Sequence, residues 1–228
     1  MLPPNASAVQ VKTLETQAYE LMREKVITGE WAQESHLKDS ELATLLGISA
    51  TPVREALRKL ASEGLVEAIP YRGTFVTSFS PAQVRELLDV RLGLELMAVE
   101  ASLATLCQGE LDDMEAALDA FDEAVQGGKL TAVLEADMAF HDLLVRSSHN
   151  SILGELYRQL SGRVQMLMAI ADLGGRMATG NTEHREILQA LCQRDRGGVE
   201  AALRKHLLAT RDHLLVLSSG SESGSYGP

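Results

Sequence analysis

The chain has 228 residues, a length that suits one or two domains with a sizeable hydrophobic core. Hydrophobic residues make up 45% of the sequence and aromatic residues only 4%, which favours helices built from leucine, alanine, valine and methionine. No apolar run approaches the ~20 residues of a membrane span and no signal peptide opens the chain, so we expect a cytoplasmic protein with no membrane partner. The two cysteines, Cys107 and Cys192, fit such a reducing compartment.

The formal net charge of −11 is unevenly distributed. Residues 1–78 contain 8 Lys/Arg and 10 Asp/Glu, and residues 79–228 contain the other 13 and 22. Neither part is basic, so nonspecific electrostatic attraction to nucleic acid should be weak. Any contact with DNA has to come from local cations, and four of these fall within 19 residues: Arg54, Arg58, Lys59 and Arg72.

A first helix is predicted to end near Gly29, and a second one spans about 39–46 before a turn at Gly47. The third predicted helix lies within 49–65, with Thr51 as its N-cap, Pro52 as its first residue and Gly64 as its stop. One of its faces is apolar, and the other presents hydrogen-bond donors. Helix, glycine turn and helix form a helix-turn-helix, whose second helix enters the major groove.

Two short strands are predicted over 65–77, on either side of a turn at 70–73. A hairpin at this place would be the wing of a winged helix, with Arg72 at its tip. The alternative is an ordinary helical hairpin with a charged face, but the cap, turn and wing signals agree with one another. The predicted DNA-binding residues are Ser49, Thr51, Arg54, Arg58, Lys59, Arg72 and Gly73.

The motifs of this region resemble the DNA-binding domain of GntR-family bacterial transcription regulators. The similarity covers residues 10–78 and includes Asp39-Ser-Glu-Leu-Ala, Leu46-Gly-Ile-Ser-Ala-Thr-Pro-Val-Arg-Glu-Ala-Leu57 and Arg72-Gly-Thr-Phe-Val76. It implies a winged helix-turn-helix domain over 9–78, double-stranded DNA as the partner, a palindromic operator and a homodimer in the bacterial cytosol. The family usually has arginine where this chain has Ala50, so its usual operator sequence is not assumed.

A new helix is predicted to start at a capping box, Ser80-Pro-Ala-Gln83. Beyond it only helical periodicity is found. Six helices joined by short loops predict an antiparallel bundle over 80–218, followed by a flexible tail over 219–228. The fold class is therefore mainly α, a winged helix-turn-helix followed by an all-α bundle. The predicted helices cover about 81–107, 110–126, 132–148, 151–172, 182–195 and 199–218.

Four polar residues interrupt the apolar stripes of the bundle helices: Asp137, His141, His184 and His206. Asp137 and His141 are one turn apart, as two metal ligands on one helix must be. Each histidine taken alone is better explained as an ordinary hydrogen-bonded core residue. The four together would be costly to bury apart, and one divalent cation per chain satisfies all of them. The donor set suits Zn, Ni, Co or Mn.

Arg91 and Glu95 interrupt the apolar seam of the first bundle helix. One interpretation is an internal ion pair. The other is an arginine that faces the metal cavity and grips the carboxylate of an effector bidentately, with Glu95 beside it.

The second half of the chain is similar to the FCD ligand-binding domain of FadR-like GntR regulators. Asp137-Met-Ala-Phe-His141, Glu183-His184-Arg185 and Lys205-His206-Leu207 match the metal-ligand motifs of that domain. The resemblance implies that these four residues hold the metal and that a small organic acid is the effector. Some members of the subgroup bind no metal, but all four ligands are present here.

We therefore expect a transcription regulator, a repressor, whose operator affinity is controlled by a small carboxylic acid bound at the metal. One alternative is a regulator that responds to the cation itself. Another is a metal-dependent phosphohydrolase, because His141-Asp142 is similar to the dyad of HD-domain enzymes. A hydrolase would not need a winged helix, so no enzymatic activity is expected.

Overall fold

The computed structural model describes residues 12–172 and 177–221, apart from the side chains of 177–180 and 218–221. The mainly helical fold predicted from the sequence is confirmed. None of the described helices is long and apolar enough to cross a membrane. In chain order the described elements are α1 (Leu14–Ile27), β1 (His36–Leu37), α2 (Asp39–Leu46), α3 (Ala50–Ser62), β2 (Val66–Ile69), β3 (Gly73–Val76), α4 (Pro81–Ser102), α5 (Gln108–Gln126), α6 (Leu130–Arg146), α7 (Ser151–Asp172), α8 (Met177–Cys192) and α9 (Arg196–Ser221).

The helix-turn-helix is formed by α2 and α3. Helix α2 has the predicted bounds and ends at Gly47, whose φ of 66° lets its N–H reach back to the carbonyls of the last turn. Helix α3 packs its apolar face on α1, and the buried residues of this face are Val53, Ala56, Leu57 and Leu60.

The predicted start of α3 is wrong by two residues. Ser49 is the N-cap, with extended φ and ψ of −73° and 162°, and the helix begins at Ala50. Thr51 and Pro52 are therefore the second and third helical residues. The N–H groups of the first turn have no acceptor within the helix, so a proline at the third position costs no hydrogen bond.

The wing is a three-stranded antiparallel sheet in the order β1-β3-β2. The predicted hairpin is present, with Ile69 opposite Gly73 and the Arg72 N–H donating to the Ile69 carbonyl over 3.0 Å. Strand β1 was not predicted, because two residues are too short to show an alternating pattern. It places His36 opposite Phe75 in the sheet, with the two rings stacked 4.6 Å apart.

The six bundle helices α4 to α9 follow the predicted order. Helix α4 starts at the expected capping box, but it ends five residues before the expected position 107. Helix α5 begins at Gln108, where a break was expected, because Cys107 and Glu110 form a second capping box. The tail expected over 219–228 lies outside the described residues from 222 onward, and α9 includes 219–221.

Two clusters of buried apolar residues form the core. One cluster lies within the bundle, around Met114, Phe140 and Leu203. The other extends without interruption from the winged domain into the bundle and contains both Leu65 and Leu167. The two parts of the chain therefore share one core instead of being joined only by a linker.

Candidate metal centre and DNA-binding surface

The four predicted ligands meet inside the bundle. Helix α6 supplies Asp137 and His141 one turn apart, α8 supplies His184 and α9 supplies His206. All four residues are at most 3% exposed. One ligand atom from each lies within 4.8 Å of those of the other three. The structure thus brings together the quartet that the sequence singled out.

The distances within this cluster fit a shared ion. His141 Nε2 and His184 Nε2 are 3.0 Å apart, and Asp137 Oδ1 lies 3.3 Å from His184 Nε2. Ligand atoms that each lie about 2.0–2.2 Å from one ion are separated by roughly 3.0–3.5 Å. Asp137 Oδ2 is buried and accepts no hydrogen bond from any described residue. A buried Asp/His₃ cluster with such an oxygen is compatible with a metal site.

Carboxylates outside the cluster orient two of the imidazoles. His141 Nδ1 is 2.9 Å from Glu95 Oε2, and His206 Nδ1 is 2.9 Å from Glu183 Oε2. A ring whose Nδ1–H is donated to a carboxylate keeps its Nε2 lone pair for a metal. Both histidines are therefore held in the tautomer that presents Nε2 to the cluster.

Glu95 connects the cluster with Arg91. Its Oε1 accepts hydrogen bonds from Arg91 Nε over 2.8 Å and from the Tyr157 hydroxyl over 3.0 Å, while Oε2 faces His141. The internal ion pair, one of the two interpretations of the sequence, is thus present and fully buried. Arg91 Nη1 and Nη2 are also buried, yet they donate no hydrogen bond to any described residue. Asp137 Oδ2 lies 3.9 Å from Nη2, so this end of the guanidinium faces the ligand cluster.

Burial and neighbouring charges set the protonation states of the site. Burial and the charge of His184 lower the pKa of His206 to about 3, and burial and the charge of Arg91 also lower the pKa of His141. Burial would raise the pKa of Glu95, but His141 and Arg91 outweigh it and lower that pKa to about 2. At neutral pH His141 and His206 are therefore uncharged and Glu95 is ionised. Neutral imidazoles can coordinate a metal, and an ionised carboxylate can orient them.

Two residues of the site were missed in the sequence. Tyr157 is buried on α7 and bonds Glu95, and Glu183 bonds His206 from the neighbouring helix. A tyrosine on an otherwise aliphatic stripe was the available signal for Tyr157. Asp142, the second member of the suspected hydrolase dyad, is outside the cluster. Its side chain is 33% exposed and lies 3.7 Å from Arg146.

Helix α3 presents its predicted donor face to solvent. Thr51, Arg54 and Arg58 are exposed, and Ser49 lies at the N-terminal end of the same helix. Arg54 Nε is 3.5 Å from Asp39 Oδ2, and Arg58 pairs with Glu55. Both arginines are more than half exposed and pair with surface carboxylates, so exchange of these partners for DNA phosphates or base edges is sterically open.

The wing requires a glycine at its tip. Gly73 has a φ of 108°, and a Cβ there would overlap the His36 imidazole, so the backbone approaches the stacked rings as only glycine allows. Arg72 is exposed beside it, with its guanidinium 5.7 Å from the centre of the Phe75 ring. The stacked rings of His36 and Phe75 thus pack against the backbone and the arginine at the tip of the wing.

Lys59 has a different environment from the two arginines. Its Nζ lies 3.6 Å from the centre of the Tyr19 ring, so the amine is drawn towards α1. Arg54 and Arg58 pair with carboxylates, whereas the charged group of Lys59 packs on an aromatic ring of α1.

Comparison with known proteins identifies the two parts of the chain. Residues 14–76 match the family model "Bacterial regulatory proteins, gntR family", and residues 86–209 match the FCD domain. A transcriptional regulator from Streptomyces ambofaciens is 32% identical, over 86% of this chain and 83% of its own length. The transcriptional repressor RspR of Escherichia coli K12 is 27% identical over 84% of both chains.

A solved structure has the same architecture. A GntR transcriptional regulator from Rhodococcus sp. RHA1 is similar with a TM-score of 0.75 and 25% identity, over 93% of this chain and 99% of that one. The chain therefore belongs to the GntR family of bacterial transcription regulators, with an FCD domain as its C-terminal part. It is a DNA-binding regulator and not an enzyme, so the hydrolase alternative is excluded.

Proposed function

We propose that the chain is a repressor whose operator affinity is controlled by a small carboxylic acid bound at a divalent metal in the bundle. The observation that carries the proposal is the buried cluster of three histidines and an aspartate, with the two open guanidinium nitrogens of Arg91 beside it. Because operator DNA lies in the bacterial cytosol, the protein would act there.

The metal would be held by Asp137, His141, His184 and His206, one ion per chain. Three imidazoles and one carboxylate suit Zn, Ni, Co or Mn without a strong preference. Such an ion would supply positive charge and open coordination positions for an anion. Glu95 and Glu183 would keep His141 and His206 in the coordinating tautomer.

The effector would be gripped by Arg91. Its Nη1 and Nη2 are parallel donors in a water-poor interior, and a carboxylate satisfies both at once. Glu95 contributes by fixing the guanidinium through Nε, since its own oxygens are already taken by Arg91, Tyr157 and His141. A neutral acceptor could also bond these nitrogens, but a carboxylate adds the opposite charge and two parallel acceptors.

On the DNA, α3 would enter the major groove with Arg54 and Arg58 and the wing would contact the backbone with Arg72 and Gly73. Thr51 and Ser49 would contribute hydroxyl contacts at the start of the helix. A single recognition helix reads only a short half-site, so a palindromic operator calls for two copies of the chain.

The surface that supports a homodimer lies on α4. Val90 and Met97 are 51% and 59% exposed there, on either side of Gly93. A Cβ at Gly93 would meet no atom within 4 Å, so nothing within the described chain requires a glycine in the middle of this helix. Close approach of a second helix is one physical reason for a glycine that weakens its own helix.

Metal analysis tests this proposal first. Wild-type protein should contain about one metal per chain, and chelation should lower its melting temperature, because four buried polar groups lose their common partner. His206→Ala should lose most of the metal, while His149→Ala, a change of an exposed histidine outside the cluster, should keep it. Elemental analysis measures the content.

Wild-type protein that stays metal-free after incubation with Zn, Ni, Co and Mn would refute the metal site. Operator binding of the loaded protein, with and without acid, then separates the two modes of control. A response to the cation alone would identify a metal-responsive regulator instead of an acid-responsive one.

A further inference from the structure

Helix α1 joins the recognition helix to the bundle through polar contacts. Tyr19 and Arg23, one turn apart on α1, both reach Glu63, the C-cap residue of α3. The Tyr19 hydroxyl donates to Glu63 Oε1, and Arg23 Nε lies 3.4 Å from Glu63 Oε2. The last turn of the recognition helix is therefore tied to α1 through both oxygens of one carboxylate.

The same arginine continues into the bundle. Arg23 Nη2 donates to the side-chain carbonyl oxygen of Gln165 on α7. Gln165 is only 7% exposed, while the side chains of Arg23 and Glu63 are 29% and 26% exposed. One guanidinium thus bridges a surface carboxylate of the DNA-binding domain and a buried amide of the bundle.

Helix α7 leads from this bridge to the ligand cluster. Tyr157, about two turns before Gln165, donates to Glu95, which holds Arg91 and His141. A helix is stiff over two turns, so a shift of Tyr157 moves Gln165 with it. The contacts then run in an unbroken series from Glu95 through α7 and Arg23 to Glu63.

Apolar packing beside the bridge keeps the two domains together independently of it. Gly162 on α7 lies against the turn after α3, where an added Cβ would be 3.1 Å from Leu65 Cγ and 3.3 Å from the Glu63 carbonyl oxygen. Loss of the Arg23 contacts would therefore leave the domains in contact but would remove the polar link between the last turn of α3 and α7.

We propose that Arg23 is a positioning residue, which fixes the last turn of the recognition helix to α7. Through this link the state of the ligand cluster reaches the DNA-binding surface. The second statement rests on the proposed function, whereas the first does not. Two measurements distinguish them.

The first measurement uses Trp31, the single tryptophan of the sequence, which packs against the core from the DNA-binding domain. Its fluorescence follows that domain in a urea titration, and far-UV circular dichroism follows mainly α4 to α9. In wild type the two transitions should coincide. In Arg23→Met the fluorescence midpoint should fall by about 1 M urea, while the dichroism midpoint stays.

Arg158→Met is the matched control. Arg158 is an exposed arginine on α7 whose Nε donates to the Gly154 carbonyl of its own helix, so both transitions should remain coincident. Arg23→Lys should resemble Arg23→Met, since one ammonium does not reproduce the fork that joins two acceptors. Coincident and unshifted transitions in Arg23→Met would overturn the positioning role.

The second measurement is amide hydrogen exchange of α3 in chelator-treated protein before and after addition of Zn²⁺. Wild type should show several-fold slower exchange in α3 with Zn²⁺, and Arg23→Met should not, although both take up the ion equally. An unchanged α3 in loaded wild type, or equal protection in both proteins, would refute transmission. If wild type takes up no Zn²⁺, the proposed function and transmission fail together, and the urea titration still decides the role of Arg23.

Discussion

Glu95 organises the candidate site at the level of single residues. One buried carboxylate receives a guanidinium, a phenol and an imidazole, so all its oxygens are used. Because His141 and Arg91 share this partner, the proposed metal ligand and the proposed anion-binding residue are both positioned by one side chain. A buried charge of this kind is tolerated only when each lone pair has a donor.

Arg91 is the residue on which acid binding should depend. Arg91→Leu should weaken binding of the acid, first identified in a thermal-shift screen of mono-, di- and tricarboxylic acids, by about 30-fold or more, because a lost charge pair typically costs about 2–5 kcal/mol. Metal content and operator binding should survive. Isothermal titration calorimetry of metal-loaded protein measures the change.

Arg91→Lys is the control for this variant. A lysine keeps the charge but gives up the paired donors, so its acid affinity should fall between those of wild type and Arg91→Leu. Full acid affinity in Arg91→Leu would leave Arg91 as the internal partner of Glu95 and nothing more.

At the level of elements, the cationic side chains of the recognition helix α3 point in two directions. Arg54 faces solvent, whereas Lys59 faces α1. Arg54→Ala should cost about 1–3 kcal/mol of operator binding if the side chain reads a base. Lys59→Ala should cost less, because that amine faces the Tyr19 ring. Fluorescence anisotropy with an operator selected from random DNA compares the two variants at one salt concentration.

Arg72→Ala tests the wing in the same assay. If Arg72 contacts a phosphate, its loss should weaken binding to all DNA sequences alike. Loss of a base-reading Arg54 should instead relax the sequence preference at one base position. Unchanged operator affinity in both Arg54→Ala and Arg72→Ala would contradict the assigned DNA-binding surface.

The element boundaries show what local signals determine. Helix α2 was predicted to the residue because Gly47 marks its end by conformation. The start of α3 was misplaced because Ser49 and Thr51 are both good caps, and Pro52 is acceptable at the first or the third helical position. Strand β1 exists only through its pairing with β3, which no local pattern reports.

The candidate site was predictable where its residues share a helix. Asp137 and His141 interrupt one apolar stripe a turn apart, which is visible in the sequence. The pairs Tyr157–Glu95 and Glu183–His206 join residues of different helices, and their spacing in the chain carries no periodic signal. Such partners follow only from the packing of α4 and α7 and of α8 and α9.

For the whole molecule, the exposed face of α4 predicts how two copies meet. Gly93→Arg should shift the protein from dimer to monomer at micromolar concentration, because a long charged side chain would prevent close approach of the helices. The monomer should stay folded, since replacement of a helix-interior glycine raises helix propensity by about 1 kcal/mol. Light scattering coupled to size-exclusion chromatography measures the mass.

Gly109→Arg is the matched change on another exposed helical glycine, and it should leave the mass unchanged. A dimer that persists in Gly93→Arg would exclude this face of α4 as the interface. A monomeric wild type would exclude the homodimer itself.

The packing of Leu65 against Gly162 limits which DNA-binding domains could be joined to this FCD domain. The DNA-binding domain of one regulator and the FCD domain of another are not interchangeable if a leucine of the first occupies the space of a side chain of the second. A hybrid that keeps this FCD domain would need a DNA-binding domain with a residue shaped like Leu65. A hybrid that keeps this DNA-binding domain would need an FCD domain with glycine at the position of Gly162. The contact between Leu65 and Gly162 thus decides whether two such domains can pack together.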